Sequence, residues 1–233
     1  MLIIPVIDLK DGLVVSAQQG QRDSYQPIQS NLSTSSVIND VLNGFLSIYA
    51  FKTIYIADLN AITHSGSNEN IINKIVSENK HIEFWVDNGT KIENILDSYP
   101  ANYNPVIGSE NQNGESVTKI LSSCILSLDF FPKQGYTGPK ELIENPAFWP
   151  QNIIIMTLDR VGNNNGTDIE KLKNFRAKFP EKNFIAAGGI LNEADLENLE
   201  KIGINHALIA SAIHSGKFTS EVITKWQAKK CPE

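Results

Sequence analysis

The chain has 233 residues, 41% of them hydrophobic, and a formal net charge of −6. This length allows one substantial hydrophobic core, and we expect a single domain over residues 1–233. The acidic balance, without any cluster of Lys and Arg, argues against a nucleic-acid-binding protein. The short apolar N-terminal stretch has no basic leader, and no segment approaches the ~20 apolar residues of a membrane span. We therefore expect a cytoplasmic protein without a membrane partner.

The sequence contains two cysteines, Cys124 in an apolar segment and Cys231 near the end. Neither lies at a spacing typical of metal ligands, and two isolated thiols do not form a disulfide framework. We expect no metal site.

Eight apolar segments rich in β-branched residues recur along the chain. They are residues 2–8, 53–58, 82–87, 104–108, 124–129, 152–159, 183–189 and 206–211. Most are almost continuously apolar instead of alternating, which is typical of strands buried on both faces of a parallel sheet.

Helical patterns lie between these segments. Apolar residues at spacings of three and four predict helices over 37–51, 68–79, 168–179 and 192–203, and more weakly over 91–98, 113–121 and 138–145. Asn192 with Asp195 predicts a helix start, and Gly203 a helix end. The repeated order of strand and helix predicts a (β/α)8 TIM barrel, with a doubly wound open sheet as the alternative.

A polar residue closes most of the predicted strands. These residues are Asp8, Asp58, Asp87, Asp129, Asp159 and Ser211. The carboxyl ends of barrel strands converge on the face where active sites lie, and crowded carboxyl groups supply both an acid and a base near neutral pH. Capping of the next loop is the alternative role for Asp58 and Asp87.

Asp8 and Asp129 stand out because both are followed by a loop with a lysine and a glycine, in VIDLKDG and SLDFFPKQG. They lie about half the chain apart. Two equivalent half-barrels, a weak pseudo-repeat, would place these carboxyl groups on opposite sides of the barrel mouth. We predict that they are the catalytic pair.

Gly188 and Gly189 follow the seventh predicted strand, and Ala210 and Ser211 close the eighth. Barrels often bind a phosphate between these two loops, where glycines let backbone N–H groups approach and a helix dipole favours the negative charge. The sequence therefore predicts a phosphate site at these four residues. A simple Gly-Gly turn is the alternative.

Several segments, in order, resemble the histidine-biosynthesis (HisA/HisF) barrel family, which includes an aldose–ketose isomerase and the cyclase of imidazole glycerol phosphate synthase. They are IIPVIDLKDGLVV, IYIADLNA, VIGSEN, FIAAGGI and LIASAIHSGKF. The resemblance covers nearly the whole chain. It implies that Asp8 and Asp129 act as acid and base in an Amadori-type rearrangement that needs no metal or cofactor. It also implies a small phosphorylated substrate with a phosphate in each half-barrel.

The sequence departs from that family at several positions. A Gly-rich turn is replaced by VDNGTK after the third strand, which puts a carboxylate where a phosphate would bind. A basic residue of the cyclase is replaced by Ser16, and an aspartate after the sixth strand by Val161. The loop GQRDSYQPIQS supplies Arg22, which we place with Asp58 and Asp159 among the substrate-binding candidates.

This combination resembles a divergent HisA/HisF-related branch of methane- and C1-metabolising microbes. The resemblance implies an isomerase, either on the histidine-pathway substrate or on a singly phosphorylated precursor in tetrahydromethanopterin biosynthesis. The alternatives are a cyclase or lyase that works with an ammonia-supplying partner, and a non-catalytic barrel that binds a phosphorylated ligand. We expect a monomer or a small homo-oligomer.

Overall fold

The computed structural model describes residues 1–96, 98–113, 124–162 and 166–228. Eight parallel strands form a barrel: β1 Leu2–Lys10, β2 Thr53–Asp58, β3 Glu83–Asp87, β4 Tyr103–Gly108, β5 Ile125–Phe131, β6 Asn152–Thr157, β7 Asn183–Ala187 and β8 His206–Ile209. Each strand pairs with the next, and β8 pairs with β1 from Leu2 opposite His206 to Pro5 opposite Ile209. The sheet is therefore closed, which confirms the predicted barrel and excludes the open sheet.

The described helices follow the strands, with the last two after β8. They are α1 Ile38–Ile48, α2 Leu59–Ile62, α3 Glu69–Glu78, α4 Lys140–Glu144, α5 Ile169–Lys178, α6 Glu193–Lys201, α7 Ser211–His214 and α8 Ser220–Ala228. The four strongly predicted helices are confirmed as α1, α3, α5 and α6. At the start of α6, Asn192 accepts from the N–H of Asp195, whose side chain accepts from the N–H of Asn192 in return, so the predicted cap is confirmed. No described helix has the length and apolar character needed to cross a membrane.

The weakly predicted helices have mixed outcomes. Residues 138–145 contain α4, but the described part of 91–98 contains only the short 3-10 turn Ile92–Asn94, so that helix prediction is wrong. The segment runs into Ser98 and Pro100, which favour a turn over a continued helix. Most of the predicted helix over 113–121 lies outside the described residues.

Alternation along each strand separates two hydrophobic cores. On β1, Ile4 and Val6 face the barrel interior, whereas Ile3 and Ile7 pack in the layer between sheet and helices. Because side chains alternate with a period of two, Asp8 faces inward like Ile4 and Val6. This parity decides which strand-end residues reach the mouth of the barrel.

The first and fifth strands each continue into an antiparallel hairpin. The strand Leu13–Ser16 pairs back onto β1, and the strand Gly135–Thr137 pairs back onto β5. The two hairpins lie half a barrel apart. They are the structural counterpart of the predicted half-barrel repeat.

Candidate active site

A cavity opens at the carboxyl ends of the strands and collects most of the predicted site residues. Those that line it are Asp8, Arg22, Asp129, Gly188, Gly189, Ala210 and Ser211. Asp87 and Glu110 also line it, so four acidic side chains and one arginine surround a mainly apolar floor.

Asp8 lines this cavity, and its carboxyl group receives no hydrogen bond from any described residue. The residue is half-buried, in line with Val6 and the interior side chains of β1. Burial raises the pKa of Asp8 to about 7, and the nearby positive charge of Arg22 opposes the rise. A carboxyl group with this pKa exists in both protonation states near neutrality and has lone pairs left for a substrate.

Asp129 lies on the opposite side of the barrel and is held firmly. Its Oδ1 accepts from the Ser127 hydroxyl at 2.6 Å, and its Oδ2 accepts from the Ser109 hydroxyl at 3.2 Å and the Glu110 N–H at 3.1 Å. Burial raises the pKa of Asp129, and the charges of Glu110 and Asp87 raise it further. The side chain is thus fixed in position and poised to exchange a proton.

Asp87 forms a third carboxyl group of the cavity and is 6% exposed. Burial raises its pKa to about 7, and the hydrogen bond from the Gly89 N–H opposes the rise. The Tyr55 hydroxyl lies 3.4 Å from Asp87 Oδ2. Asp87 therefore combines local capping with a place in the cavity wall.

The loop after the first hairpin covers the mouth of the barrel. Tyr25 is buried against the interior core, and Gly20 packs against Phe131. Arg22 donates to both carboxylate oxygens of Glu110, at 2.8 and 2.5 Å, and its guanidinium lies 5.6 Å from the Phe131 ring. In this closed arrangement, both terminal nitrogens of Arg22 bond to a protein carboxylate.

Two predicted binding residues lie outside the cavity. Asp58 is fully buried and accepts hydrogen bonds from Ala61 N–H and from both the backbone and the side chain of Asn68, so it holds the β2–α3 connection. Asp159 falls one residue after Leu158, which lines the cavity, and its side chain lies beside Arg160. Each of these aspartates directly follows a residue that faces the cavity or the barrel interior, so its own side chain points away from the cavity.

Gly188 and Gly189 have φ values of 101° and 79°, which favour glycine. A β-carbon at Gly188 would lie 2.4 Å from the Thr157 carbonyl oxygen, and one at Gly189 would collide with the Gly166 carbonyl oxygen. Both positions thus need glycine for conformation and for space. They bring backbone to the cavity edge beside Ser211, at the start of α7.

Four functional candidates were not predicted from the sequence. They are Tyr55, Ser109, Glu110 and Ser127. Ser127 has a usable signal, because it precedes Asp129 by two residues and so shares its face of β5. Glu110 has none, because its role depends on a loop from a distant part of the chain. Among the described residues, no group of three or more His, Cys, Asp or Glu side chains is arranged to hold a metal ion.

Known proteins are similar to this chain in sequence over most of its length. An uncharacterised protein of Methanocaldococcus jannaschii is 33% identical over 229 residues, covering 97% of this chain and 99% of the relative. Proteins named 1-(5-phosphoribosyl)-5-((5-phosphoribosylamino)methylideneamino) imidazole-4-carboxamide isomerase are also similar. The one from Methanosphaera stadtmanae is 28% identical over 250 residues, and the one from Alteromonas mediterranea is 23% identical over 256; each match covers 97% of this chain and the whole relative.

The family model described as "Histidine biosynthesis protein" matches residues 2–127 and 148–219, which contain Asp8 and the two glycine positions at the cavity edge. Together with the closed eight-stranded barrel, this match means that the chain belongs to the histidine-biosynthesis (HisA/HisF) family.

Proposed function

We propose that this protein is an isomerase-type enzyme that moves a proton within a small phosphorylated, sugar-like substrate, using Asp8 and Asp129. The observation that carries the proposal is the placement of the Asp8 and Asp129 carboxyl groups at one cavity. Two carboxyl groups with raised pKa values face one cavity from opposite strands. One carboxyl group can donate a proton to the ring oxygen as the C1–O bond breaks, while the other removes the proton from C2. The second group then returns its proton to C1 and the first takes the proton of the C2 hydroxyl, which forms the ketone and restores both carboxyl groups.

The substrate phosphate is proposed to bind at Gly188, Gly189, Ala210 and Ser211. All four line the cavity, and the glycines bring the backbone to its edge. Backbone N–H groups at the start of a helix are suited to an anion. The hydroxyl of Ser211 adds a further donor.

We propose a single phosphate because Asp87 stands at the other end of the cavity. Coulomb repulsion between this carboxylate and a phosphate dianion opposes binding there. A singly phosphorylated precursor in C1-cofactor (tetrahydromethanopterin) biosynthesis fits this requirement and the sequence resemblance. The cyclase alternative is less well supported, since Ser16 is exposed and does not line the cavity.

The decisive test is turnover of the bis-phosphoribosyl substrate named in the isomerase relatives, by the native protein, Asp8→Asn and Asp129→Asn. Exchange of substrate hydrogen with solvent deuterium is followed by NMR alongside product formation. Our proposal predicts weak or no turnover of this bisphosphate, but deuterium exchange into a singly phosphorylated aminoaldose, lost in both variants.

Rapid turnover of the bisphosphate would show that the second phosphate is accepted, contrary to the proposal. Phosphate binding without deuterium exchange into any aminoaldose phosphate would instead support the non-catalytic barrel. Circular dichroism of both variants checks that loss of activity is not loss of fold.

A further inference from the structure

The loop after β3, which follows Asp87 of the cavity wall, has its backbone donors already occupied by protein side chains. Gly89 N–H donates to Asp87 Oδ1 at 3.1 Å, and Thr90 N–H donates to Asn88 Oδ1 at 3.2 Å. Ile92 N–H donates to Gln112 Oε1 at 2.9 Å. A phosphate at this loop would have to displace these side chains before it could reach the N–H groups.

Acceptor atoms gather beside the cavity wall, around Gly108, next to Asp87 and Asp129, which line the cavity. A β-carbon built on Gly108 would lie 3.3 Å from both Asp87 Oδ2 and Asp129 Oδ2, and 3.7 Å from Asn111 Oδ1. Two carboxyl oxygens and one amide oxygen therefore surround a single glycine. Such a group of acceptors is suited to a ligand that donates hydrogen bonds.

Asn111 independently indicates that a hydrogen-bond donor from a ligand would fit beside these acceptors. Its Nδ2 donates to the Ile62 carbonyl at 2.9 Å, which fixes the amide orientation and directs Oδ1 away from that carbonyl. Asn111 Oδ1 is buried and has no hydrogen-bond partner among the described residues. A buried acceptor without a partner costs stability, and a donor supplied by a ligand would satisfy it.

We propose that the Asp87 end of the cavity binds a primary ammonium group of the substrate, through Asp87 and Asn111, opposite the phosphate. An ammonium group offers three N–H donors and one positive charge, which suit Asp87 Oδ2 and Asn111 Oδ1 as acceptors and the surrounding carboxylates as counter-charges. The charge of Arg22 lies close enough to act on Asp87, but its terminal nitrogens bond to Glu110 and so leave these acceptors without a hydrogen bond from Arg22. This inference rests on the proposed function and narrows its substrate class to phosphorylated amines.

The test uses three ligands that differ only at one carbon: 1-amino-1-deoxyfructose 6-phosphate, fructose 6-phosphate and fructose 1,6-bisphosphate. Their dissociation constants are measured by calorimetry at pH 7.5, with inorganic phosphate as a fourth ligand. The amino sugar should bind at least tenfold more tightly than fructose 6-phosphate, and the bisphosphate more weakly than either. Asp87→Asn and Asn111→Ala should each reduce the tenfold preference to threefold or less, while leaving the affinity for inorganic phosphate unchanged.

Glu69→Gln, an exposed carboxylate outside the cavity, is the matched control and should keep the full preference. Equal binding of the amino and hydroxyl sugars, tightest binding of the bisphosphate, or an unchanged preference in Asp87→Asn would overturn the inference. If none of the sugars binds but inorganic phosphate does, this inference alone fails. If inorganic phosphate does not bind either, the phosphate site of the proposed function fails with it.

Discussion

Arg22 and Glu110 meet across the mouth of the barrel in a two-point ion pair, although 88 residues separate them in the sequence. Their side chains are 17% and 15% exposed, so the pair is largely shielded from water. It joins the loop after the first hairpin to the end of β4. The pair therefore holds the cover of the cavity closed.

Replacing Glu110 with Gln should release this loop. The change leaves the Arg22 guanidinium without its charged partner in a shielded place, which costs about 2–4 kcal/mol locally. Amide hydrogen exchange over residues 17–25 should accelerate at least tenfold, while the strands keep their protection.

A suitable control is Glu78→Gln, which breaks an exposed pair with Lys74 at 3.9 Å. Exposed pairs contribute ~0–1 kcal/mol, so exchange in this variant should match the native protein. Unchanged exchange over 17–25 in Glu110→Gln would show that other contacts keep the loop closed.

Asp87 should make the protein less stable as pH rises. An unfolded aspartate loses its proton near pH 3.8, whereas folded Asp87 keeps it until about pH 7. Between these values the native state binds more protons than the unfolded state, so the free energy of unfolding falls with increasing pH. Asp87→Asn removes this loss and should stabilise the protein by at least ~1 kcal/mol at pH 8, with little effect at pH 4.

Urea denaturation at several pH values measures this difference. Glu144→Gln, which changes an exposed carboxylate on α4, is the control. The difference in stability between this variant and the native protein should not vary with pH. A variant at Asp87 that is less stable at pH 8 than the native protein would contradict the raised pKa.

Ser127 should set the proton affinity of Asp129. Its hydroxyl donates to Asp129 Oδ1 at 2.6 Å, and a hydrogen bond to a carboxylate favours the ionised form. Ser127→Ala should therefore move the pKa of Asp129 upward by about one pH unit. Carboxyl carbon-13 NMR titration measures it without any substrate, and Ser127→Thr, which keeps the hydroxyl, should stay near the native value.

Gly189 should resist substitution more strongly than another glycine with a similar backbone angle. Gly189→Ala adds a collision with the Gly166 carbonyl oxygen to the strain of a positive φ, and we expect a loss of about 2–4 kcal/mol. Gly135 has a φ of 70° but no atom within 4 Å of a built β-carbon, so Gly135→Ala should cost only ~1–2 kcal/mol.

Denaturant unfolding compares the two glycine variants, and phosphorus NMR titration with inorganic phosphate follows binding in each. Only Gly189→Ala should lose phosphate binding. Equal stability losses would mean that the backbone at Gly189 adjusts to a side chain.

The strands and most helices could be predicted because their patterns are local. The strand-end aspartates were harder to separate, since each closes an apolar segment. Counting alternate positions back from each one distinguishes them. Asp87 follows Trp85 on the interior face, whereas Asp58 follows the inward-facing Ala57 by one residue and points away from the barrel axis.

Long-range contacts in the site could not be predicted in the same way. The Arg22–Glu110 pair and the Asn111 contact with Ile62 depend on how distant loops meet after the barrel closes. No single segment carries a pattern for them. The occupied donors after β3 are an intermediate case, because the Asp-Asn-Gly-Thr sequence favours a turn in which side chains bond to nearby backbone.

The pairing of β8 with β1 also affects how the protein is made. β1 has β8 as one of its two barrel neighbours, and β8, which is synthesised later, begins only at His206. At 5–20 residues per second, one edge of β1 stays open for roughly 10–40 s of synthesis. An apolar strand edge exposed for that time is prone to pair with other chains. Slow translation or delayed release should therefore reduce the soluble yield of this protein even when the stability of the folded protein is unchanged.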